Sequence, residues 1–579
     1  MADSLNKGVS KKICCIYLRS LRTIAFCAVC LSSCRPYRRK NCGYPILNML
    51  HGSMWRNFYG ELIMKRYCCL FSLTMLFALL FTSAYGAVST PSIFGDHMVL
   101  QQKKTIPVWG KADPGESVTV TLGDVSRKAT ACGEGRWRVD LPKMKAGGPY
   151  ELKIKGAGNS LLFSDVLVGE VWIGSGQSNM QWTVADSNNA EREIANAQYP
   201  KIRLFDVKRT VATSPQDDCT GEWKVCSPET LPSFSAVLYY FGRELHQQLN
   251  DMPMGLIHTS WGGTPAESWT SRPMLESDPQ LVGLVKKWDK TLADYPQAKA
   301  AYDEALAVWE AEAEKAKAEG KEAPKKPKAP EGPDHPWLAS GLYNAMIAPL
   351  VPYAIQGAVW YQGESNANRA YQYRTLFPAM INDWRNAWGQ GNFSFYFVQL
   401  ANFTEVKEKP ADSDWAELRE AQTMALSLRK TGMATIIDIG EADDIHPRNK
   451  QDVGKRLAFN ALAKDYGRQI IFSGPMYKNM QIRNGAIVLS FNHAHGGLRA
   501  ADNGELTGFA IAGSDKKFVW ADAVVRGKTV VVSSPDVKEP VAVRYAWANN
   551  PVCNLVNGAG LPASPFRTDE WPGLTDNNE

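Results

Sequence analysis

The sequence contains, from Gly169 to Met180, the stretch Gly-Glu-Val-Trp-Ile-Gly-Ser-Gly-Gln-Ser-Asn-Met. Its first half is a short apolar run typical of a buried strand, and the glycines that follow allow the chain to turn sharply. Ser178 is therefore predicted to stand exposed beside a helix start, where backbone N–H groups favour a developing oxyanion. Turns of this composition also join strands to helices without any chemistry, so the rest of the chain must decide between the two interpretations.

Strand-like apolar runs recur along the chain, with amphipathic segments between them. The runs are Glu170–Gly174, Gly255–Thr259, Ile355–Tyr361, Phe393–Leu400 and Met433–Ile439. The amphipathic segments are Ser235–Gln248, Gly341–Leu350, Glu417–Arg429 and Lys450–Lys464. Five strands that alternate with helices predict an α/β fold with a parallel sheet covered on both faces. In such sheets, ligands bind outside the carboxyl ends of the strands.

Sequence typical of β-structure flanks this region on both sides. Residues 88–168 contain alternating runs, such as Ser117–Leu122, between turns rich in Gly and Pro. They predict an accessory antiparallel β-sandwich domain. Strand-like runs return in a C-terminal β region at 471–579, so the α/β domain is expected to occupy 169–470.

An insertion at 283–336 interrupts the α/β rhythm. Its first part, Gln297–Gly320, is rich in Ala, Glu and Lys at helical spacing, and Lys321–Pro336 is rich in Lys and Pro. A lid or partner surface fits this composition, and so does a solvated helix with an extended return. The second interpretation is favoured, because runs of charge are commonly solvated.

The first 87 residues differ from the rest in charge. They hold 12 Lys and Arg against 2 Asp and Glu, which leaves 53 basic and 57 acidic residues, a net of −4, in the remaining chain. A mildly acidic folded region indicates no phosphate-binding surface, so no nucleic-acid partner is expected.

Residues 64–87 have the order of a secretory signal peptide, with Met64-Lys65-Arg66, the apolar stretch Leu70–Phe81 and small residues up to Ala87. Residues 1–63 are then interpreted as an extension from a start codon assigned too far upstream. A basic cytoplasmic tail before a membrane anchor and a cysteine-rich zinc module are the alternatives. The mature chain is expected to be exported, periplasmic or extracellular, without stable membrane insertion after cleavage. There, Cys219 and Cys226 can form a disulfide.

Two further strand ends carry candidate oxyanion donors. The run ending at Thr259 leads into Trp261-Gly262-Gly263-Thr264, where either glycine N–H can point at a carbonyl oxygen. The next leads into Gln362-Gly363-Glu364-Ser365-Asn366, where the Asn366 amide is a neutral donor. An ordinary strand-to-helix turn explains the glycines equally well, and asparagine is common in turns for its backbone-mimicking amide.

The last strand-like run leads to a histidine with carboxylates close before it, Asp443-Asp444-Ile445-His446. A carboxylate three residues earlier can fold back to accept one imidazole N–H, which leaves the other ring nitrogen free to act as a base. Metal binding by Asp443, Asp444 and His446 is an alternative, supported only by His493 and His495 elsewhere. A turn-capping histidine is another.

Together these strand ends supply every part of an acyl-transfer site. Ser178 is the nucleophile, His446 the base, Asp443 its orienting acid, and the N–H groups of Ser178 and Gly262 or Gly263 act with Asn366 as oxyanion donors.

The same motifs resemble the four sequence blocks of the SGNH hydrolases. They are Gly-Gln-Ser-Asn-Met at 176–180, Gly262-Gly263, Gly-Glu-Ser-Asn at 363–366 and Asp443-x-x-His446. More narrowly, Trp360–Asn366, Leu342–Leu350, Asp444–Lys450 and the closing stretch Gly560–Asp569 look like the sialate O-acetylesterase family over essentially the whole mature chain.

The resemblance implies a five-stranded flavodoxin-like core flanked by the β regions, and the same nucleophile, base, acid and oxyanion residues as above. Gln177, Trp261, Gln362 and Glu364 are the expected substrate-binding residues. Gln177 departs from the wider pattern, because the superfamily usually has Asp at this position. The identity of the orienting acid also stays open, since Asp444 or Glu364 can replace Asp443.

The sequence therefore predicts a secreted serine esterase that removes O-acetyl groups from sugars, most specifically 9-O-acetylated sialic acid, with no cofactor and no metal. An acetylesterase for xylan or another plant polysaccharide is the alternative within enzymes. A lipase or phospholipase is a further alternative, and a non-catalytic glycan-binding protein is the alternative that is not an enzyme. A stacking role against sugar rings is expected for five aromatic residues, each of which has a core position as its alternative: Trp182, Trp261, Trp269, Trp360 and Tyr361.

Overall fold

One long strand, Ser160–Gly176, connects an N-terminal β region to the central sheet. The computed structural model describes residues 87–578. The predicted extension 1–63 and, apart from Ala87, the predicted signal peptide lie outside these residues.

Most strands of the N-terminal region pair antiparallel, but β1 runs parallel to β7, which the predicted antiparallel sandwich did not include. Three of them, β3, β4 and β6, continue the sheet from β7, whereas β2 pairs with β5. The predicted domain boundary at 168/169 falls inside β7 and both sides share one hydrophobic core, so the region is continuous with the α/β part. The strands are β1 (Val99–Gln101), β2 (Ile106–Lys111), β3 (Ser117–Leu122), β4 (Val125–Thr130), β5 (Arg136–Leu141), β6 (Gly147–Lys155) and β7 (Ser160–Gly176).

The central sheet has the order β13-β12-β11-β7-β10-β8-β9. Within the described residues, its first six strands in this order are parallel and β9 runs antiparallel to β8. Four of these strands are buried along their whole length, as expected when helices cover both faces. The added strands are β8 (Tyr199–Asp206), β9 (Trp223–Cys226), β10 (Met254–Ser260), β11 (Gly357–Tyr361), β12 (Ser394–Val398) and β13 (Thr431–Ala434).

The prediction of five parallel strands missed β8. This strand carries Lys201 and Arg203, and such charges are not typical of a buried strand. Arg203 is nonetheless buried, because its guanidinium is paired with Asp165 at 2.7 Å. The last predicted strand, Met433–Ile439, is also shorter than expected and ends at Ala434.

Helices connect the strands of the central sheet. Ser235 caps α3 by accepting the N–H of Leu238, and the observed bounds of α8 coincide with the predicted segment. The predicted segment Gly341–Leu350 forms a π turn and a 3₁₀ turn. The helices are α1 (Ser178–Gln181), α2 (Ala190–Ala195), α3 (Ala236–Gln248), α4 (Arg272–Ser277), α5 (Val282–Ala318), α6 (Ala370–Trp388), α7 (Asp414–Met424) and α8 (Lys450–Lys464), and the 3₁₀ turns include Ala266–Trp269 and Glu364–Arg369.

The predicted insertion is a long helix, α5, with a return that contains neither helix nor strand over 321–332. Only residues near the start of α5 are buried, namely Leu284, Val285 and Trp288. The distal part of the helix is therefore solvated, whereas its base packs on the core.

The C-terminal β region has a hydrophobic cluster of its own. It contains a four-stranded sheet of order β14-β15-β20-β19, another of order β18-β17-β21-β23 and the pair β16-β22. The buried Arg419 joins it to the α/β part by donating to the carbonyls of Ala548 and Asn549. Its strands are β14 (Met476–Arg483), β15 (Ala486–Asn492), β16 (Leu498–Ala500), β17 (Phe509–Ala512), β18 (Val519–Trp520), β19 (Asp522–Arg526), β20 (Thr529–Ser533), β21 (Ala542–Tyr545), β22 (Leu555–Asn557) and β23 (Phe566–Arg567).

Among residues 87–578, no helix is long and apolar enough to cross a membrane. Cys219 and Cys226, which the sequence allowed to pair, are free thiols.

Candidate active site

Ser178 is the first residue of α1, directly beyond the end of β7. The turn depends on Gly176, which has φ +138°, and a Cβ there would lie 2.1 Å from the carbonyl oxygen of Tyr361. The N–H of Gln177 donates to that same carbonyl, so the turn is held against the end of β11. Ser178 is partly exposed, and its N–H is among those that a helix start leaves without an intrahelical partner.

His446 lies in the loop between β13 and α8 and reaches the serine. Its Nε2 is 2.8 Å from Oγ of Ser178, within hydrogen-bond distance for a base that takes the hydroxyl proton. The indole of Trp182 stacks on the imidazole at a centroid distance of 4.9 Å and an interplanar angle of 15°. The fold thus brings two residues that are 268 positions apart in the chain into hydrogen-bond contact.

Asp444, and not Asp443, is the carboxylate at the imidazole. Oδ1 of Asp444 lies 3.5 Å from Nδ1 of His446 and accepts the backbone N–H of His446 at 2.8 Å. The side chain thus folds back over two residues, and this local turn brings it beside the ring. Asp443 is exposed. The predicted orienting role of Asp443 is therefore corrected to Asp444.

The glycine pair lies beside Ser178. A Cβ on Gly262 would be 3.2 Å from Cβ of Ser178, so the Gly262 backbone borders the serine directly. Its N–H donates to Oε1 of Gln181 at 2.7 Å, and a substrate oxygen has to displace this partly exposed side chain to use the same donor. Gly263 has φ +72°, a conformation that favours glycine.

Asn366 is buried in the loop after β11, with 1% of its surface exposed. Its Nδ2 donates to Oε2 of Glu267 at 3.0 Å, which uses one of the two N–H groups of the amide. Its Oδ1 accepts from the Ala266 N–H at 2.9 Å and from Gln362 at 2.6 Å. Asn366 therefore ties two predicted oxyanion loops together, with at most one N–H left for a substrate.

Comparison with known proteins agrees with these features. Residues 332–463 match the family described as "Carbohydrate esterase, sialic acid-specific acetylesterase". The chain is 32% identical to the mouse sialate O-acetylesterase over 82% of this chain and 93% of that protein. The chain belongs to the sialate O-acetylesterase family. Against the human sialate O-acetylesterase it is also 32% identical, over 84% of this chain and 94% of that protein.

A solved structure supports the same class. The structure of a carbohydrate acetylesterase from Xanthomonas citri is 36% identical, with a TM-score of 0.72, over 84% of this chain and 100% of that chain. This sialate O-acetylesterase family member is accordingly a carboxylic ester hydrolase with a mixed α/β fold.

Three residues expected to bind substrate make side-chain hydrogen bonds within the protein. Oε1 of Gln177 accepts the N–H groups of Gly363 and Ser365, both at 3.3 Å. The fully buried Gln362 accepts the Tyr373 hydroxyl at 2.9 Å. Gln177 and Gln362 therefore stabilise the loops through these contacts, and their contact with substrate stays a prediction.

Glu364, the third of these residues, has a buried carboxyl group. Its Oε1 accepts from Nδ2 of Asn179 at 2.7 Å, and burial raises its pKa above the ordinary value. It is not placed at the histidine, where the sequence allowed it, and because the residue is partly exposed its contact with substrate stays a prediction. Trp261 is also partly exposed.

Lys450, which was not predicted from the sequence, lies next to the Ser178–His446 pair. It is fully buried, and its Nζ donates to Oδ1 of Asn179, the neighbour of Ser178, at 2.5 Å. The ammonium also lies 5.7 Å from the ring centroid of Trp182, which stacks on His446. Burial lowers the pKa of Lys450 to about 7. Its position four residues after His446 was the available signal, but lysines are almost always exposed.

Only two of the five aromatic residues that were expected to stack against sugar rings are exposed at all. Trp269, Trp360 and Tyr361 are fully buried and belong to the core, so their predicted stacking against sugar is wrong. Trp182 and Trp261 are partly exposed. Among residues 87–578, no group of three or more His, Cys, Asp or Glu side chains is arranged to hold a metal ion.

Proposed function

We propose that this family member is an exported serine esterase that releases acetate from O-acetylated sugars through an acetyl-serine intermediate. The observation that carries the proposal is the 2.8 Å contact between Oγ of a partly exposed Ser178 and Nε2 of His446. In a family of sugar acetylesterases, this contact supports Ser178 as the nucleophile and His446 as the base.

The mechanism follows from the neighbours of Ser178. His446 takes the hydroxyl proton as Oγ attacks the acetyl carbon, and the resulting oxyanion is stabilised by the N–H groups of Ser178 and Gly262. Collapse breaks the ester bond, and the imidazolium returns its proton to the departing sugar oxygen. Water then attacks the acetyl-serine with His446 again as base, which releases acetate and restores Ser178.

The surroundings of His446 favour its neutral form, which is the form that can accept a proton. Burial and the nearby Lys450 ammonium lower the pKa of His446 below its ordinary value, and Asp444 opposes them. The base is therefore ready at mildly acidic as well as neutral pH.

We assign 9-O-acetylated sialic acid as the first substrate, because the curated relatives are sialate O-acetylesterases. An acetylated plant polysaccharide such as acetylxylan is the second candidate, because the structure from Xanthomonas citri is described as a carbohydrate acetylesterase without naming the sugar. Measuring acetate release from 9-O-acetylated N-acetylneuraminic acid and from acetylated xylo-oligosaccharides separates the two. A kcat/KM at least about tenfold higher for the sialic acid ester supports the first assignment, and the reverse order overturns it.

Export is proposed from the signal-peptide pattern of residues 64–87. N-terminal sequencing of the protein recovered outside the cytoplasm is expected to begin at Ala87 or Val88. Recovery of a full-length chain in the cytoplasm would contradict both the signal peptide and the start at Met64.

A further inference from the structure

A cleft lies between the base of α5 and the 3₁₀ turn that follows β11. Its volume is about 490 Å³, large enough for a sugar ring. The residues that matter for its chemistry are Glu267, Lys287, Trp288, Trp337, Ser365 and Arg369.

The cleft shares residues with the catalytic loops. Ser365 lines it, and the Ser365 N–H donates to the side chain of Gln177, the residue before Ser178. Glu267 also lines it and accepts from Asn366 at 3.0 Å. A group bound in the cleft therefore lies next to the loops that surround the acetyl carbon.

One wall of the cleft is aromatic. Trp337 is 44% exposed, which is unusual for the largest apolar side chain. His335 lies between Trp337 and the nearly buried Trp288, with ring centroids 6.3 Å and 5.6 Å away. The Trp337 N–H donates to Nδ1 of His335 at 3.2 Å, so this aromatic group is held together by its own contacts. A tryptophan face presented this way suits the C–H face of a pyranose.

Another part of the lining is polar. The guanidinium of Arg369 is paired with Glu267 at 2.5 Å and donates to Gln372 at 2.7 Å. Lys287 adds an exposed ammonium at the rim. Hydroxyl groups of a sugar can accept from these donors, whereas the tryptophan wall contacts its apolar face.

We infer that this cleft binds a sugar ring of the acetylated substrate, with Trp337 stacked against that ring. The inserted segment 283–336 then does more than extend into solvent, because its base and its return give the enzyme a preference for sugar esters over simple acetates. The inference rests on the proposed function, since it takes the substrate to be an O-acetylated sugar.

The test compares Trp337→Ala with the unchanged enzyme on 4-nitrophenyl acetate, 9-O-acetylated N-acetylneuraminic acid and acetylated xylo-oligosaccharides. We expect the KM of a sugar ester to rise roughly 3- to 10-fold, as loss of one aromatic stacking contact implies. The kcat/KM for 4-nitrophenyl acetate, which has no sugar, stays within about twofold. Trp337→Phe, which keeps an aromatic face, recovers most of the affinity.

The matched control is Trp309→Ala. Trp309 lies in the insertion 283–336, which Trp337 directly follows, but its indole N–H donates to the carbonyl of Pro324 and its ring contacts Lys326 away from the cleft. The KM and kcat/KM of Trp309→Ala for all three substrates should match those of the unchanged enzyme. Thermal unfolding should show that both variants are folded.

The outcomes are distinct. An unchanged KM for sugar esters in Trp337→Ala overturns the inference and leaves the proposed function intact. An equal loss on 4-nitrophenyl acetate also overturns it, because the tryptophan then supports the catalytic loops rather than the sugar. If the unchanged enzyme cleaves 4-nitrophenyl acetate but neither sugar ester, the proposed function is wrong and the inference fails with it.

Discussion

Two serine–histidine–aspartate arrangements occupy neighbouring strand ends of the central sheet. In the first, Ser178 and His446 are 2.8 Å apart and the Asp444 carboxylate is 3.5 Å from the ring. In the second, the hydroxyl of Ser260 and Nε2 of His258 are 2.6 Å apart, and Nδ1 of His258 is 2.7 Å from the carboxylate of Asp206. The shorter contacts belong to the second arrangement.

Access separates the two arrangements. Ser260 lies within β10 and is 2% exposed, and His258 is 5% exposed. Ser178 lies beyond its strand, partly exposed and bordered by the Gly262 backbone. Hydrogen-bond geometry alone therefore does not make a catalytic site. The nucleophile also needs space for an acyl group and donors for its oxygen.

The buried arrangement has a structural explanation. His258 and Asp206 are register partners on the adjacent strands β10 and β8, so their contact joins two strands. The same histidine holds the hydroxyl of Ser260, two residues before Gly262. This arrangement thus stabilises the strand end from which the glycine loop begins.

Replacing the two serines gives the largest expected difference. Ser178→Ala should lower kcat for acetate release by about 10⁴-fold or more, because it removes the atom that forms the acyl-enzyme. Ser260→Ala should keep kcat within about threefold. The measurement is acetate release under substrate saturation. If Ser260→Ala lost as much activity as Ser178→Ala, the assignment of the nucleophile would have to be reconsidered.

Replacing the two histidines should separate catalysis from stability. We expect His446→Gln to reduce kcat/KM by about 10³-fold with little change in unfolding temperature. His258→Gln should instead lower the free energy of unfolding by about 1–3 kcal/mol, because it leaves buried polar groups without their partners. Activity assays at 25 °C and urea unfolding of both variants provide the comparison. A stable His258 variant with 10³-fold lower activity would contradict it.

The adjacent aspartates offer a smaller contrast. Asp444→Asn should lower kcat/KM about 10- to 100-fold, a moderate loss because its contact with the imidazole is 3.5 Å long. Asp443→Asn is the matched control and should change kcat/KM by less than about twofold, since Asp443 is exposed. A larger loss of kcat/KM in Asp443→Asn than in Asp444→Asn would contradict the assignment of Asp444 as the carboxylate that orients His446.

The pH dependence should show the smallest effect. Because burial and Lys450 lower the pKa of His446, kcat/KM should rise through a pKa below the ordinary value of 6.5 and then level off. In Lys450→Met the nearby positive charge is gone, so the pKa of His446 rises and the acid limb moves up by about 0.5–1 pH unit.

The control for this shift is Lys455→Met, an exposed lysine on the same helix, which should leave the acid limb in place. Profiles measured from about pH 4.5 to 8 resolve the difference. An acid limb that stays unchanged in Lys450→Met would show that the buried ammonium does not act on the base.

Much of the fold and part of the site could be predicted from the sequence. Helix α8 was predicted with its observed bounds from its amphipathic spacing, and in the structure Asn449 caps its start by accepting the N–H of Asp452. Ser178 and His446 were predicted to meet because both follow parallel strands. Their contact depends on the order of those strands in the sheet, which alternation of apolar and polar residues does not specify.

Other residues could not be predicted because their roles depend on partners far away in the chain. Strand β8 carries a buried arginine that only Asp165 makes tolerable. Gln362 and Glu364 looked like substrate contacts, yet their side chains point to Asn366 and Asn179 inside the loops. A polar residue beside a catalytic motif has the same appearance in sequence whether it faces the ligand or the protein.

The sequence by itself determined the α/β order, the glycine turns and the residue types at each strand end, because these depend on local spacing and backbone freedom. Only the tertiary structure decided which of two adjacent aspartates contacts His446 and which of two serine–histidine pairs is accessible. It also decided that Lys450 is buried next to the Ser178–His446 pair and that Trp337 lines a cleft together with Ser365. These features depend on distances between elements that are remote in the chain, and packing of the whole protein sets those distances.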